Sequence, residues 1–590
     1  MKSYMKKIIV LVPLVLSAFL TSLLLKNHFA QKQQSAQKPN VILVMADDQG
    51  YGDLGCTGNP WIQTPNIDRF YEQSLRLTDY HTYPICTPSR GALMMGLRPQ
   101  RTDAVGVGRQ NVSADYPTMA DVFAANGYAT GLFGKWHLGD NYPFRPQDRG
   151  FEKTVAIKGG AIDHIPNYWG NSNFDGTYYD NGEPRKYTGY STDIWFDEAL
   201  RFIEEKKNQH QPFFAYIATN APHSPFQVDE SYAEPYRNNP DIPEPVFYGM
   251  IAKIDENFGR LRAKLQEWGI EDNTILIYTS DNGSVAGVET GRDEFVTKGY
   301  NAGMRGQKGS YYEGGHREPF FIRWPDGGLG KARDIDELSV ITDVLPTLIE
   351  LCGLTPPEGA KFDGVSLAAV LKGEKKQLPG DRIEFIAGNE LWKSVVLTRR
   401  WRLVNGTELY DIKADPQQRN NVAAQNPDVV KKLRNVNEEW WKGLGSSISK
   451  IYPTPLGTDI ANPVDLSATD PVNHTGVIRA NSSNKTGSWP VDFQKPGTYR
   501  FSLRRWPKEL NLPVGACVDA KGCKAIHAVK ARVDIFGKIY EVDVDANHDA
   551  VANLDIHVAK TGSTILLAQF IDASGKQYGT YYVDVERIGD

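Results

Sequence analysis

Cys86-Thr87-Pro88-Ser89-Arg90 is the densest group of reactive side chains in the 590-residue chain. Pro88 suits the first turn of a helix, which puts the Cys86 thiol at a helix N-terminus, where unpaired N–H groups and the macrodipole favour negative charge. Arg90, four residues on, adds a guanidinium, so the chemistry expected here involves an anion. A lone cysteine before a helix is ordinarily a small buried residue; this one has company. Asp47, Asp48, Asp281 and Asn282 offer only hard oxygen ligands, a set that suits Ca²⁺ or Mg²⁺ and not zinc, which would want His or Cys. Adjacent acids repel unless a cation lies between them. Arg90, Lys135, His137, His223 and Lys308 would surround that metal with positive and proton-carrying groups. A metal and several cations around a nucleophile stabilise charge building on a phosphoryl or sulfuryl group.

The elements that must position these groups follow from periodicity. Short apolar runs at 41–45, 128–133, 213–217, 274–279 and 319–323 alternate with amphipathic stretches at 117–125, 193–206 and 247–268. That texture predicts an α/β fold with a mostly parallel sheet sandwiched by helices. Asp47 and Asp48 follow the first strand, Lys135 and His137 the second, His223 the third, and Asp281 and Asn282 the fourth. Ligands of open α/β sheets bind beyond the carboxyl ends of the strands, so four strands deliver this set to one rim.

Residues 38–375 are expected to form this catalytic domain. Hairpin patterns and a helix at 427–444 give a small antiparallel α+β subdomain over 376–445. A linker at 446–463 precedes an all-β, sandwich-like accessory domain at 464–590. Its Arg504-Arg505-Trp506 is expected to pack on the neighbouring domain, and its Asp543, Asp545, Asn547 and Asp549 to be a solvated hairpin.

Residues 1–37 read as a signal peptide or N-terminal anchor, with lysines before an apolar run and small residues at Ala30 and Ala36 where cleavage would fall. The chain is therefore expected to be exported, with no stable membrane span after cleavage. A formal net charge of -5, with no basic tail or stripe, argues against a nucleic-acid partner. Five cysteines are too few to carry an exported fold by disulfides. Cys517 and Cys523 can form a local bridge, Cys56 and Cys352 read as buried, and Cys86 is the odd thiol.

Taken together, the segments resemble the type I, formylglycine-dependent sulfatases of the alkaline phosphatase superfamily, leaning toward arylsulfatases and N-acetylgalactosamine-4-sulfatases. The resemblance rests on Cys86-Thr87-Pro88-Ser89-Arg90, Ala46-Asp47-Asp48, Gly134-Lys135-Trp136-His137-Leu138-Gly139, Ala221-Pro222-His223-Ser224-Pro225, Asp281-Asn282-Gly283, and Lys308 before Glu313-Gly314-Gly315. Leu409-Tyr410-Asp411 with Asp415-Pro416 extends it into the subdomain. The chain departs from the family at Met95-Gly96, where Thr-Gly is usual.

The resemblance implies an alkaline phosphatase-like fold and oxidation of Cys86 to formylglycine (3-oxoalanine) by a separate maturation enzyme. One hydroxyl of the hydrated aldehyde would attack sulfur and displace the alcohol, and the other would then expel sulfate. It further implies that Asp47, Asp48, Asp281 and Asn282 hold Ca²⁺ together with residue 86. Arg90 and His137 would position the diol, Lys135 and Lys308 would bind sulfate oxygens, and His223 would give a proton to the leaving oxygen. The expected substrate is a sulfated poly- or oligosaccharide, chosen by rim loops at 98–110, 159–177 and 291–305. The rival readings are a phosphodiesterase or phosphonate monoester hydrolase of the same superfamily, and a non-catalytic sulfated-glycan binder whose Cys86 is never oxidised.

Overall fold

The apolar runs are short and bounded by glycine, proline or acid, so they form strands buried on both faces. In the computed structural model, which describes residues 38–106, 111–468, 487–518 and 524–590, five of them build the centre of one sheet. They are β1 (Asn40–Ala46), β2 (Ala129–Lys135), β3 (Phe213–Ala218), β4 (Thr274–Ser280) and β5 (Phe320–Arg323). β1 lies between β3 and β4 and is parallel to both, with Val44 opposite Ile217 and Tyr278. β2 extends the parallel run beside β3. The edges are mixed: β5 runs antiparallel to β4, and the hairpin Thr177–Asp180 with Glu183–Lys186 closes the far side of a ten-stranded sheet.

The period of two along each strand divides the core. Val41, Leu43 and Met45 face one apolar layer with the helix α1 (Cys86–Met95), and Ile42, Val44 and Ala46 face the other. The second layer is filled by α2 (Ser191–Asn208) and α3 (Pro245–Glu267). The expected sandwich of helices about a mostly parallel sheet is what forms. β2 runs two residues further than its sequence pattern, so Lys135 is itself the last strand residue.

The strands Glu384–Ala387, Ser394–Leu397, Trp401–Val404 and Glu408–Asp411 form an antiparallel sheet. Helix Pro427–Leu444 covers it, stacking Trp440 on Phe385 at 4.5 Å. A buried polar knot ties this subdomain to the large sheet. Arg402 reaches both Glu313, at 2.8 Å, and Asp79, at 2.5 Å.

The C-terminal residues form two antiparallel-rich sheets around their own core, including Trp489, Phe493, Tyr499 and Phe501. Alternation is clean in Ala552–Val558, where every second residue is buried. Thr454–Leu456, inside the stretch expected as linker, is instead a strand paired parallel to Ser488–Phe493. Arg505 and Trp506 are buried, and Trp506 packs on Ile165 and Trp169, which lie between two strands of the large sheet, as expected of that patch. Asp545 and Asp549 engage a local turn, in which Asp549 accepts the Asp545 N–H at 2.8 Å.

Cys86 and Cys352 are buried free thiols, whereas Cys56 is only partly buried. Cys517 is disulfide-bonded; its expected partner Cys523, like the 1–37 segment, lies outside the described residues. Among the described residues no helix is long and apolar enough to cross a membrane.

Candidate active site

Three strand ends and one helix start meet at a single buried point. β1 delivers Asp47 and Asp48, β4 delivers Asp281 and Asn282, β2 delivers Lys135 and then His137, and Cys86 is the first residue of α1. Asp48 adopts a left-handed φ of 69°, which turns its N–H onto Asp281 Oδ1 at 3.0 Å. Ser89 fixes the entry to α1: its hydroxyl accepts the Tyr83 N–H at 2.9 Å and donates to the Tyr83 carbonyl at 3.0 Å. Gly96 closes the helix at φ 63°, so the Met95-Gly96 departure leaves its end intact.

Oppositely charged groups pair across the rim. Lys135 Nζ lies 2.8 Å from both oxygens of Asp47. Arg90, one turn after Cys86, grips Asp281 Oδ2 through Nε at 3.0 Å and Nη2 at 2.8 Å. Lys308 Nζ is 2.6 Å from Asp48 Oδ2, and His223 Nε2 is 3.5 Å from the same oxygen. Lys135 is fully enclosed, but Lys308 and His223 keep 21% and 16% of their side chains exposed, which marks the mouth. His137 is buried and meets Thr87 Oγ1 at 3.3 and 3.4 Å.

Glycine sets the close approach of two loops. A Cβ on Gly283 would lie 2.2 Å from the Gly314 carbonyl, and the Gly283 N–H donates to Gly315 at 3.1 Å. Only backbone without side chains can stack so tightly. The contact carries Asn282 and Lys308 to the same place, since the Lys308 N–H donates to Ser284 at 3.1 Å. Glu313 of the same segment faces Arg402 of the subdomain instead of the reactive cluster.

The buried charges perturb one another. Burial pushes the Asp47 carboxyl up to about 8 in spite of Lys135, with Asp281 and Asp48 adding to the rise. Asp48 is held below the ordinary carboxylate range: burial opposes this, but His223, Lys308 and Lys135 outweigh it. Burial raises the Cys86 thiol, against the pull of Lys135 and Lys308. Burial lowers His223 to about 4, and Lys135 and Lys308 cancel the help of Asp48. Its Nδ1 sits 2.6 Å from the Ser224 carbonyl, so that nitrogen carries the hydrogen and Nε2 is bare at neutral pH. His137 is lowered well below its usual value by burial, then by Lys135 and Arg90.

The donor set fits a hard cation. One carboxylate oxygen each from Asp47 and Asp48 and the Cys86 Sγ lie within 4.8 Å of one another, all buried. Asn282 gives its Nδ2 hydrogen to Asp48 Oδ1 at 2.8 Å, which leaves Asn282 Oδ1 buried without a partner among the described residues. An orphaned buried carbonyl beside two carboxylates is an oxygen site short of a cation. Asp281, by contrast, is engaged by Arg90 and the Asp48 N–H. The sequence pattern did not single out Thr87 or Tyr216. Thr87 carried the clue of lying inside the cysteine segment, while Tyr216, whose hydroxyl lies 3.4 Å from Arg90 Nη1, reads as one more apolar strand residue.

Residues 39–354 match the sulfatase family, and residues 307–442 match the N-sulphoglucosamine sulphohydrolase C-terminal family. The chain belongs to the sulfatase family. It is 31% identical over 384 residues to N-acetylgalactosamine-6-sulfatase of Sus scrofa, covering 60% of this chain and 70% of that protein. It is 32% identical over 374 residues to human arylsulfatase A, covering 58% and 69%. The solved structure of Ps i-CgsB in complex with k-i-k-neocarrahexaose aligns with a TM-score of 0.61 at 28% identity, covering 71% of this chain and 96% of that one. This sulfatase is thus a sulfuric ester hydrolase of alkaline phosphatase-like fold. The galactosaminide relative carries a 6-sulfatase name where the sequence pattern leaned toward 4-sulfatases.

Proposed function

We propose that this sulfatase is exported and removes sulfate from a sulfated poly- or oligosaccharide, using formylglycine made from Cys86 by a maturation enzyme, and Ca²⁺. The observation that carries this reading is the meeting of Cys86, Asp47, Asp48 and the orphaned Asn282 oxygen at the N-terminus of α1. When bound, Ca²⁺ would be held by Asp47, Asp48, Asp281, Asn282 and residue 86, and would supply a Lewis acid that lowers the cost of charge on the attacking oxygen. The chain's own residues do the rest. Arg90 fixes Asp281, and through it the backbone of Asp48. Lys308 stands at the mouth, where its ammonium binds sulfate oxygens as they enter, and Lys135 adds a buried positive charge behind it. His137, which meets the hydroxyl of the adjacent Thr87, orients the nucleophilic side chain. His223 Nε2 is bare until an anionic ester offsets Lys135 and Lys308; it then takes a proton from solvent and passes it to the leaving oxygen.

The carbohydrate assignment is supported by the relatives, one named for a sulfated amino sugar and one solved with a hexasaccharide. Export is supported by the lysine-then-apolar pattern of the first 37 residues.

Peptide mass spectrometry across Cys86, on protein made in its own host, tests the mechanism. Conversion of CH₂SH to CHO removes about 18 Da. The expected result is that loss, with turnover of sulfated oligosaccharides well above that of matched phosphate esters. A persistent thiol alongside a competent maturation enzyme would overturn the reading and leave a glycan-binding protein.

A further inference from the structure

The chain between strand Lys153–Ile157 and strand Thr177–Asp180 touches the reactive cluster at one end and the C-terminal sandwich at the other. At the first end Gly160 lies against the His137 ring. A Cβ placed on Gly160 would come within 2.5 Å of His137 Cε1 and Nε2. The neighbouring Gly159 N–H donates to the Asp140 carboxylate at 2.9 and 3.1 Å, which pins this backbone to the residues just after His137.

At the other end the loop is held by the sandwich. Ile165 is buried against Trp506 and Tyr581, and Trp169 meets Trp506 edge to face at 5.6 Å. The Tyr582 hydroxyl donates to the Ile165 carbonyl at 3.1 Å, and Glu509 accepts the Trp169 N–H at 3.0 Å. Asn167, itself buried, joins the two ends. It accepts the Lys158 N–H at 2.9 Å and donates to the Lys158 and Ala161 carbonyls at 2.6 and 2.8 Å. A loop braced in this way transmits position instead of absorbing it.

His137 needs such a brace. Its backbone sits at φ 60°, and its contacts to Thr87 Oγ1, at 3.3 and 3.4 Å, are too long to fix an imidazole by themselves. Packing must set the ring's angle, and Gly160 supplies that packing.

We propose that the C-terminal sandwich is a positioning element of the active site. Trp506 and Tyr582 hold the loop that presses Gly160 onto His137. The inference rests on the reading of His137 as the group that orients the nucleophile.

The test uses the full-length, matured enzyme and a small aryl sulfate, with rates normalised to formylglycine content by mass. Misplacing a reacting group by about 1 Å can cost about a hundredfold in rate. In Trp506→Ala, kcat is expected to fall about ten- to a hundredfold while KM stays within about twofold. Trp506→Phe restores most of the rate. The His137 imidazole resonance, assigned by its loss in His137→Asn, shifts in Trp506→Ala and returns in Trp506→Phe. Tyr582→Phe removes one hydrogen bond, keeps the fold if Trp506→Ala does not, and shows the same changes to a smaller degree. An unchanged kcat and an unshifted His137 resonance in a folded variant overturn the proposal. If the matured wild type turns over no sulfate ester, the functional reading fails separately, and the shifted resonance still supports the positioning role.

Discussion

Asn282 divides one amide between two duties. Its nitrogen holds Asp48 in place at 2.8 Å, and its buried oxygen meets no donor among the described residues. Calcium is therefore expected to raise the melting temperature of the wild type, because a ligand that binds only the folded state stabilises it by about 2.7 kcal/mol at a hundred times its Kd. In Asn282→Ala that rise should shrink, and the calcium needed for half the effect should grow by about tenfold or more; differential scanning fluorimetry across a calcium series reads both. Cys86→Ala should abolish turnover while leaving the melting temperature within a few degrees of wild type, since it trims only the small reactive group of one side chain from a packed site. The reactive residues themselves are legible in the sequence because adjacent acids, and polar groups flanked by glycine or proline, seldom serve packing alone. Their pairing is not. Arg90 belongs to Asp281 and Lys135 to Asp47 only after the strand ends converge, and no local pattern spans such separations.

At the scale of elements, the strand Trp401–Val404 places one arginine where two domains need it. Arg402 is fully buried and neutralises Asp79 and Glu313 together. His81 Nε2 shares Asp79 at 2.9 Å, and its Nδ1 faces His316 Nδ1 at 3.0 Å. Removing one partner of a buried ion pair leaves the other uncompensated, at a cost of about 3–5 kcal/mol. Arg402→Ala is accordingly expected to lower the denaturation midpoint by that order, whereas an exposed pair such as Lys413 with Asp336 should cost under about 1 kcal/mol when cut. Paired urea titrations of the two variants separate these outcomes. Continuous apolar runs such as that of β1 stand where the sequence predicts them, whereas Ala552–Val558, whose exposed positions hold Asn553, Asp555 and His557, is found only in the fold. Thr454–Leu456 escapes notice because three residues around Pro455 carry no alternation, and only the long-range partner Ser488–Phe493 makes them a strand.

Across the whole molecule, one feature near the junction of sandwich and catalytic domain responds to pH. Asp465 and Asp584 are direct cross-strand partners, and like charges so placed repel. Burial raises Asp584 to about 7, and Asp465 adds to the rise by accepting its proton; Asp465 itself is lowered. An acid raised on folding gives stability that is full below its unfolded value, near 3.8, and is lost as pH climbs through 7. The lowered Asp465 contributes in the opposite sense, but its share is already complete above that same unfolded value and is flat from pH 5 to 8. The sandwich should therefore lose about 1–2 kcal/mol between pH 5.5 and 8. Asp584→Asn should remove this share of the fall and melt higher than wild type at pH 8, which calorimetry at the two pH values decides. Texture alone predicts a three-part layout. Packing of the Arg504-Arg505-Trp506 patch on its neighbour is expected from the sequence; that Ile165 and Trp169 receive Trp506 is visible only in the fold.

The enclosure of Asn282 also bears on how the chain can be made. Asn282-Gly283-Ser284 is an acceptor sequence for N-linked glycan, a bulky modification that belongs on exposed loops. In the folded protein Asn282 has no exposed surface, so no transferase can reach it. A nascent chain entering a eukaryotic secretory pathway has no such protection. A sugar attached there before folding would occupy the amide nitrogen that must meet Asp48, and that fraction of the product could never close its own centre. Expression in a host that glycosylates during translocation should yield a dead subpopulation, which Ser284→Ala would rescue and a bacterial host would not produce.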